Sequence, residues 1–108
     1  MSWDKWFPDY AVPRRLEALV TAGTLRDETW KEDGVPHFEA TLKNDARLVI
    51  WVDHPKRSER FIPDGPRYGM EIYAPGVIPM TVFESEDLGE TLEAVKFWLS
   101  KGRGLRAI

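Results

Sequence analysis

There is no cysteine in the 108 residues, which excludes disulfides, cysteine-ligated zinc or iron, thiol nucleophiles and thiol redox chemistry. Packing and hydrogen bonding must therefore hold the fold. Long apolar runs are missing as well. The opening MSWDKWFPDY carries Asp4, Lys5 and Asp9 where a signal peptide needs its hydrophobic region, and nothing approaches the roughly twenty consecutive apolar residues of a membrane span. A cytoplasmic protein is the expectation. Also absent are a glycine-rich phosphate cradle, a P-loop, a dinucleotide fingerprint, internal repeats and low-complexity tracts.

What is present suits one globular domain over residues 1–108, a length that buries enough surface to fold without staples. The net charge of −3 argues against a general nucleic-acid binder, which needs a basic surface to displace counterions from phosphates. The charges are segregated, however. Glu84 to Glu93 holds five acids and no base, and Lys96 to Arg106 holds four bases and no acid. Placed at opposite ends of one helix, these runs complement its dipole, which explains them without a partner.

Two helices are expected. Val12 to Ala22 has Pro13 in its first turn, Leu16, Leu19 and Val20 on one face, Gly23 at the left-handed cap and Leu25 folding back. The second opens on Asp87 and Glu90 and carries Leu88, Leu92, Val95 and Leu99 at helical spacing as far as Gly102. Between them the period is two: HFEATLK, ARLVIWVD, RYGMEIY and IPMTVFE read as strands, with a further short one over Glu28 to Lys31. The predicted fold is α+β, a meander of four or five antiparallel strands with both helices packed on one face. Three segments stand outside this frame: an aromatic N-terminal stretch 1–11, a long loop 55–66 and a basic tail 102–108.

Strand parity predicts which side chains face away from the helices. Pairing Ala40 with Ile50 and Phe38 with Val52 requires an odd loop around Asn44 and Asp45, and pairing Ile72 with Ile78 and Met70 with Met80 requires another at YAPGV. The outer face then carries His37, Glu39, Thr41, Val49, Trp51, Asp53, Arg67, Glu71, Tyr73, Thr81 and Phe83. Three aromatics among charges of both signs make the composition of a protein interface: Trp51, Tyr73 and Phe83 as anchors, with His37, Glu39, Asp53, Arg67 and Glu71 as rim. The partner is another protein, or a second copy in a homodimer. Trp3, Trp6, Phe7 and Tyr10 form one stripe if helical, either a flap on the same domain, where it could cover those aromatics, or a partner-binding arm. Trp30 and Trp98 read as core or core-edge residues.

The same register sets His37 across from Asp53, the pair that orients a general base in catalysis, yet no nucleophile accompanies it. Ser58 lies in a loop with nothing to fix it, and His54, beside the ladder-ending Pro55, reads as structural. His37, Asp53 and His54 do not share a face, so no metal is expected; nor is a cofactor, and the chain reads as a non-enzyme. The alternative function is contact with nucleic acid or phosphate through the loop 55–67 and the tail, using Lys56, Arg57, Arg60, Lys101, Arg103 and Arg106.

The run LEALVTAGTLRDETWKEDGVPHF, followed by LVIWVDHP, resembles small bacterial and phage-type proteins of unassigned function, across about the first half of the chain. A short helix ending in Ala-Gly, an Asp-x-x-Trp segment and a later Val-Asp-His-Pro carry the resemblance. It implies an accessory or mobile-element protein and assigns no residue a role.

Overall fold

The computed structural model describes residues 3–104, with side chains through Lys101. A single helical turn, α1 (Trp3–Trp6), and a 3-10 turn (Pro8–Tyr10) lead into α2 (Arg14–Thr21). Pro13 sits just before α2 in an extended conformation, and its carbonyl accepts the amides of Leu16 and Glu17 at 3.0 and 3.1 Å. Gly23, at φ +80°, ends the helix, after which the Thr24 and Leu25 amides both donate to the Leu19 carbonyl. That turn delivers Leu25 to the core beside Leu16, both fully buried.

The sheet is a five-stranded antiparallel meander in sequence order: β1 (Arg26–Asp27), β2 (His37–Thr41), β3 (Arg47–Val52), β4 (Tyr68–Tyr73) and β5 (Met80–Ser85). α3 (Leu88–Gly104) closes the fold. Asp87 caps α3 by accepting the Glu90 amide at 2.7 Å. The reciprocal half of a capping box is altered, because Glu90 accepts the Ser85 hydroxyl at 2.7 Å and Ser85 in turn accepts the Asp87 amide.

Phe38, Ala40, Leu48, Ile50, Val52, Tyr68 and Met70 form the inner sheet face, and Leu16, Leu25, Val95 and Leu99 pack on it from α2, α3 and the turn between α2 and β1. Burying each such leucine, valine or isoleucine contributes about 1.5–3 kcal/mol before entropy is counted. Both helices therefore occupy one side, as their apolar stripes require, and among the described residues no α-helix packs on the other side of the sheet. Trp98 packs at the core edge, whereas Trp30 is 64% exposed, contrary to its sequence reading.

The N-terminal stripe is a flap on its own domain. Trp3 enters the core cluster, its amide bonds Asp27, the Tyr10 hydroxyl donates to the Gly34 carbonyl, and Arg67 donates to the carbonyls of Tyr10 and Ala11. It packs at the core and along the domain's edge.

Several strand expectations need correction. The first strand lies at Arg26–Asp27, not at 28–31, because the Asp27 carboxylate accepts the Thr29 amide and turns the chain out of the ladder. Thr29 Oγ1 then takes over the pairing, bonding both the amide and the carbonyl of His37. The β2–β3 loop is odd, five residues over 42–46, but each pair slides by two: Phe38 faces Ile50 and His37 faces Trp51. Asn44 and Asp45 at φ 59° and 62° close it, a conformation these side chains tolerate. In the last hairpin Ile72 faces Met80, and a bulge between Met70 and Glu71 in the pairing brings Met70 opposite Phe83.

Candidate binding basin on the outer sheet face

The side chains bordering the outer face are held by the loop 55–66, and that loop is organised by Asp53. β3 ends at Val52, and the Asp53 carboxylate, fully buried, accepts the amides of His54 at 2.8 Å, Phe61 at 2.9 Å and Ile62 at 3.2 Å. Three backbone donors that the interrupted ladder would leave unsatisfied are thereby paired. Arg60 braces the same loop. Its Nε donates to the His54 carbonyl, Nη1 to the Gly65 carbonyl and Glu86, and Nη2 to the Pro55 carbonyl and Glu86, so all five N–H groups are used. The Arg60 guanidinium holds the Glu86 carboxyl below its ordinary range, with desolvation opposing. Arg67 ties the other end, donating through Nε to the Asp53 carbonyl at 2.8 Å, and burial pulls its guanidinium below its ordinary value.

So fixed, the loop sets Phe61 and Ile62 beside the sheet as an apolar lip, 61% and 44% exposed. The Phe61 ring rests over Gly34, whose α-carbon leaves the room: a β-carbon there would lie 2.7 Å from the ring. Between this lip and the outer face lies a concave basin of about 380 Å³. Val49 and Trp51 line it from the sheet, Val35 joins the lip, and a polar series runs along it. Asp33 Oδ2 is 2.9 Å from His37 Nδ1, His37 Nε2 is 3.0 Å from Glu39 Oε2, and Glu39 Oε1 is 2.9 Å from Arg47 Nη1. The Arg47 guanidinium stands 5.2 Å from the Tyr73 ring centre, and the Tyr73 hydroxyl donates to Glu71 Oε1 at 3.1 Å. Burial, then the bond to Glu71, pushes the Tyr73 phenol up, so it remains a donor.

Of the residues singled out from the sequence, the basin brings together His37, Glu39, Trp51, Glu71 and Tyr73. It does not include the other three. Asp53 is buried and spent on backbone amides, so it forms no rim and has no contact with His37, which the register places opposite Trp51. Arg67 is committed to the carbonyls of Tyr10, Ala11 and Asp53. Phe83, beyond the bulge, pairs with Met70 and packs against the core instead of facing out. Sequence reasoning missed Asp33, Val35, Arg47, Phe61 and Ile62; the adjacent apolar pair Phe61-Ile62 in a polar loop was the available signal.

The basic positions divide similarly. Arg60 is buried and saturated, Arg57 reaches Glu86 at 3.7 Å, and Lys56 is exposed. Lys101 is exposed with its ammonium 5.7 Å from the Phe97 ring centre, while Arg106 and the Arg103 side chain lie outside the described residues. A second concavity, about 490 Å³ and mostly apolar, runs between α2 and α3 past Leu19, Leu92 and Leu99. Among the described residues no group of three or more histidine, aspartate or glutamate side chains is placed to hold a metal ion, and no helix is long and apolar enough to cross a membrane. No family model, no curated protein and no solved structure matches the chain.

Proposed function

We propose that this chain is a non-enzymatic protein-binding module, and that the outer-face basin is where its partner docks. One observation carries the reading. The sheet face opposite α2 and α3 forms a concave basin with the loop beside it, and a buried carboxylate and a saturated arginine hold the exposed Phe61 and Ile62 at its edge. Apolar side chains fixed in the open, next to aromatic and polar groups, are what a docking surface needs, because little ordering entropy is left to lose on binding. The ionisable side chains of the polar series bond mostly to one another, which suits recognition better than proton transfer. The role that fits is a cytoplasmic adaptor, or an inhibitor of a host protein carried by a phage or plasmid, and the cysteine-free chain suits such a compartment.

Contact with nucleic acid through the basic loop is the weaker reading, since Arg60 has no donor left for a phosphate. The test is capture from native lysate, with and without nuclease, using the wild type, a Phe61→Asp/Ile62→Asp variant and a Lys56→Ala/Arg57→Ala variant. Both lip residues are exposed, and an unchanged thermal midpoint verifies that the first variant keeps its fold. A protein retained after nuclease and lost with the lip supports the basin. Recovery that needs nucleic acid and the two basic residues overturns it.

A further inference from the structure

The charges in the basin do not balance. Asp33, Glu39 and Glu71 bring three carboxylates, whereas Arg47 and His37 bring two cations even when the histidine is counted as charged. Asp33 and Glu39 are consumed by those two, as the 2.9–3.0 Å contacts require. Arg26 approaches Glu39 only at 4.0 Å and is held closer by Glu28, at 3.1 Å. Glu71 is different. Its one bond is from the uncharged Tyr73 hydroxyl, and among the described residues no cation lies within salt-bridge distance of it.

Glu71 is half-buried on the interior strand β4, opposite Val49 and two residues from Gly69, the position over which the Trp51 indole lies. A carboxylate there is tolerable while water reaches it. Any partner that covers the basin removes that water, and the desolvated charge then costs binding energy unless a cation arrives with the partner. Arg47 is already engaged, its Nη1 bonded to Glu39 and its guanidinium over the Tyr73 ring. Beside the polar series the basin offers apolar and aromatic surface as well: Val49, opposite Glu71, with Trp51 on the sheet and Ile62 of the lip. That combination matches a long side chain with an aliphatic stem and a charged head.

We infer that the basin receives a lysine or arginine side chain of the partner protein, with its charged head on Glu71 and its stem along Trp51. The inference rests on the basin being the docking surface and names the chemistry it selects. A volume near 380 Å³ falls at the low end of the ~300–1,000 Å³ range of ligand pockets, which suits one long side chain with its flanking backbone. An acidic or neutral group at the same place would leave Glu71 unpaired, so the site discriminates by charge as well as by shape.

The test uses three blocked amino acids as probes, N-acetyl-arginine amide, N-acetyl-lysine amide and the neutral N-acetyl-norleucine amide. Each is titrated into the isotope-labelled full chain while the Trp51 indole N–H and the Ile62 and Val49 methyl resonances are followed. The expected result is saturable shifts with both cations, binding about tenfold weaker for norleucine, and loss of that preference in Glu71→Gln. The variant keeps the bond from Tyr73, and an unchanged thermal midpoint verifies its fold. Equal binding of all three probes overturns the cation inference and leaves the basin standing as a docking surface. Absence of any shift also overturns it, and the docking reading is then decided by the lip variant in the capture experiment.

Discussion

The indole of Trp51 lies across Gly69 on the outer face, filling the place where any other residue would carry its side chain. A β-carbon at position 69 would overlap Cζ2 and Cε2 of the ring. The pair explains two features together. Glycine in a central strand is ordinarily a weakness, here offset by an aromatic neighbour from the next strand, and a large aromatic on an open face is held against the sheet instead of projecting from it.

Gly69→Ala therefore carries a sign that propensity alone would get wrong. Alanine in a strand normally stabilises relative to glycine by roughly 0.5–1 kcal/mol. Here the methyl must displace the indole, so the substitution is expected to destabilise by about 1–3 kcal/mol in urea unfolding. Adding Trp51→Ala removes the clash, and the double variant should be less unstable than the sum of the two single changes. Simple additivity would show that the ring is free to move aside.

The fold class was legible because the hydrophobic period changes cleanly between 3.6 and two, and because Pro13, Gly23 and Asp87 punctuate the helices. The outward residues His37, Glu39, Trp51, Glu71 and Tyr73 were legible for a sturdier reason: a register error of two residues leaves every face unchanged. Phe83 escaped because a bulge adds one residue to β5 and reverses parity beyond it, and no local feature of the sequence announces that. Asp53 escaped because it stands just past the end of β3, where alternation no longer governs, and its role depends on amides eight and nine residues away returning to it. The lip of the basin was hidden for the same reason.

Asp53→Ala is expected to release the loop. The amides of His54, Phe61 and Ile62 would lose their acceptor inside the fold, and unsatisfied buried donors cost about 1–3 kcal/mol each before relaxation. Exposure of the loop to water will recover part of this, so a loss of about 3 kcal/mol is expected. Hydrogen exchange is the discriminating measurement. Those three amides should lose protection far more than the amides of β2 and β3. Uniform loss across the sheet would show Asp53 to be part of the global core instead of a local anchor.

Acid should weaken the brace between Arg60 and Glu86 in a defined window. The carboxyl of Glu86 is held below its ordinary value of 4.5, chiefly by hydrogen bonds from Arg60. Its contribution to stability is thus complete above that value and is lost as pH falls through the lower folded value. Because Glu86 is 44% exposed, solvent screening limits the contribution to about 1 kcal/mol or less. The stability of the wild type relative to Glu86→Gln should be constant at neutral pH and decline below about pH 4.5. A difference that does not change with acid would mean that the pairing contributes through shape alone.

Arg60→Lys separates a structural strut from an electrostatic contact. Lysine keeps the charge but offers three donors where arginine offers five, and it lacks the planar fork that reaches three carbonyls and both oxygens of Glu86 together. With the side chain only 2% exposed, the carbonyls left behind have little access to water. The variant should therefore lose about 1–3 kcal/mol. It should also loosen the loop enough to weaken partner capture, although no charge has changed. If Arg60 instead met a phosphate as a point charge, lysine would substitute with little loss and the salt dependence of binding would be retained. Stability and capture measured together distinguish the two, since only the strut predicts that a charge-preserving change damages both.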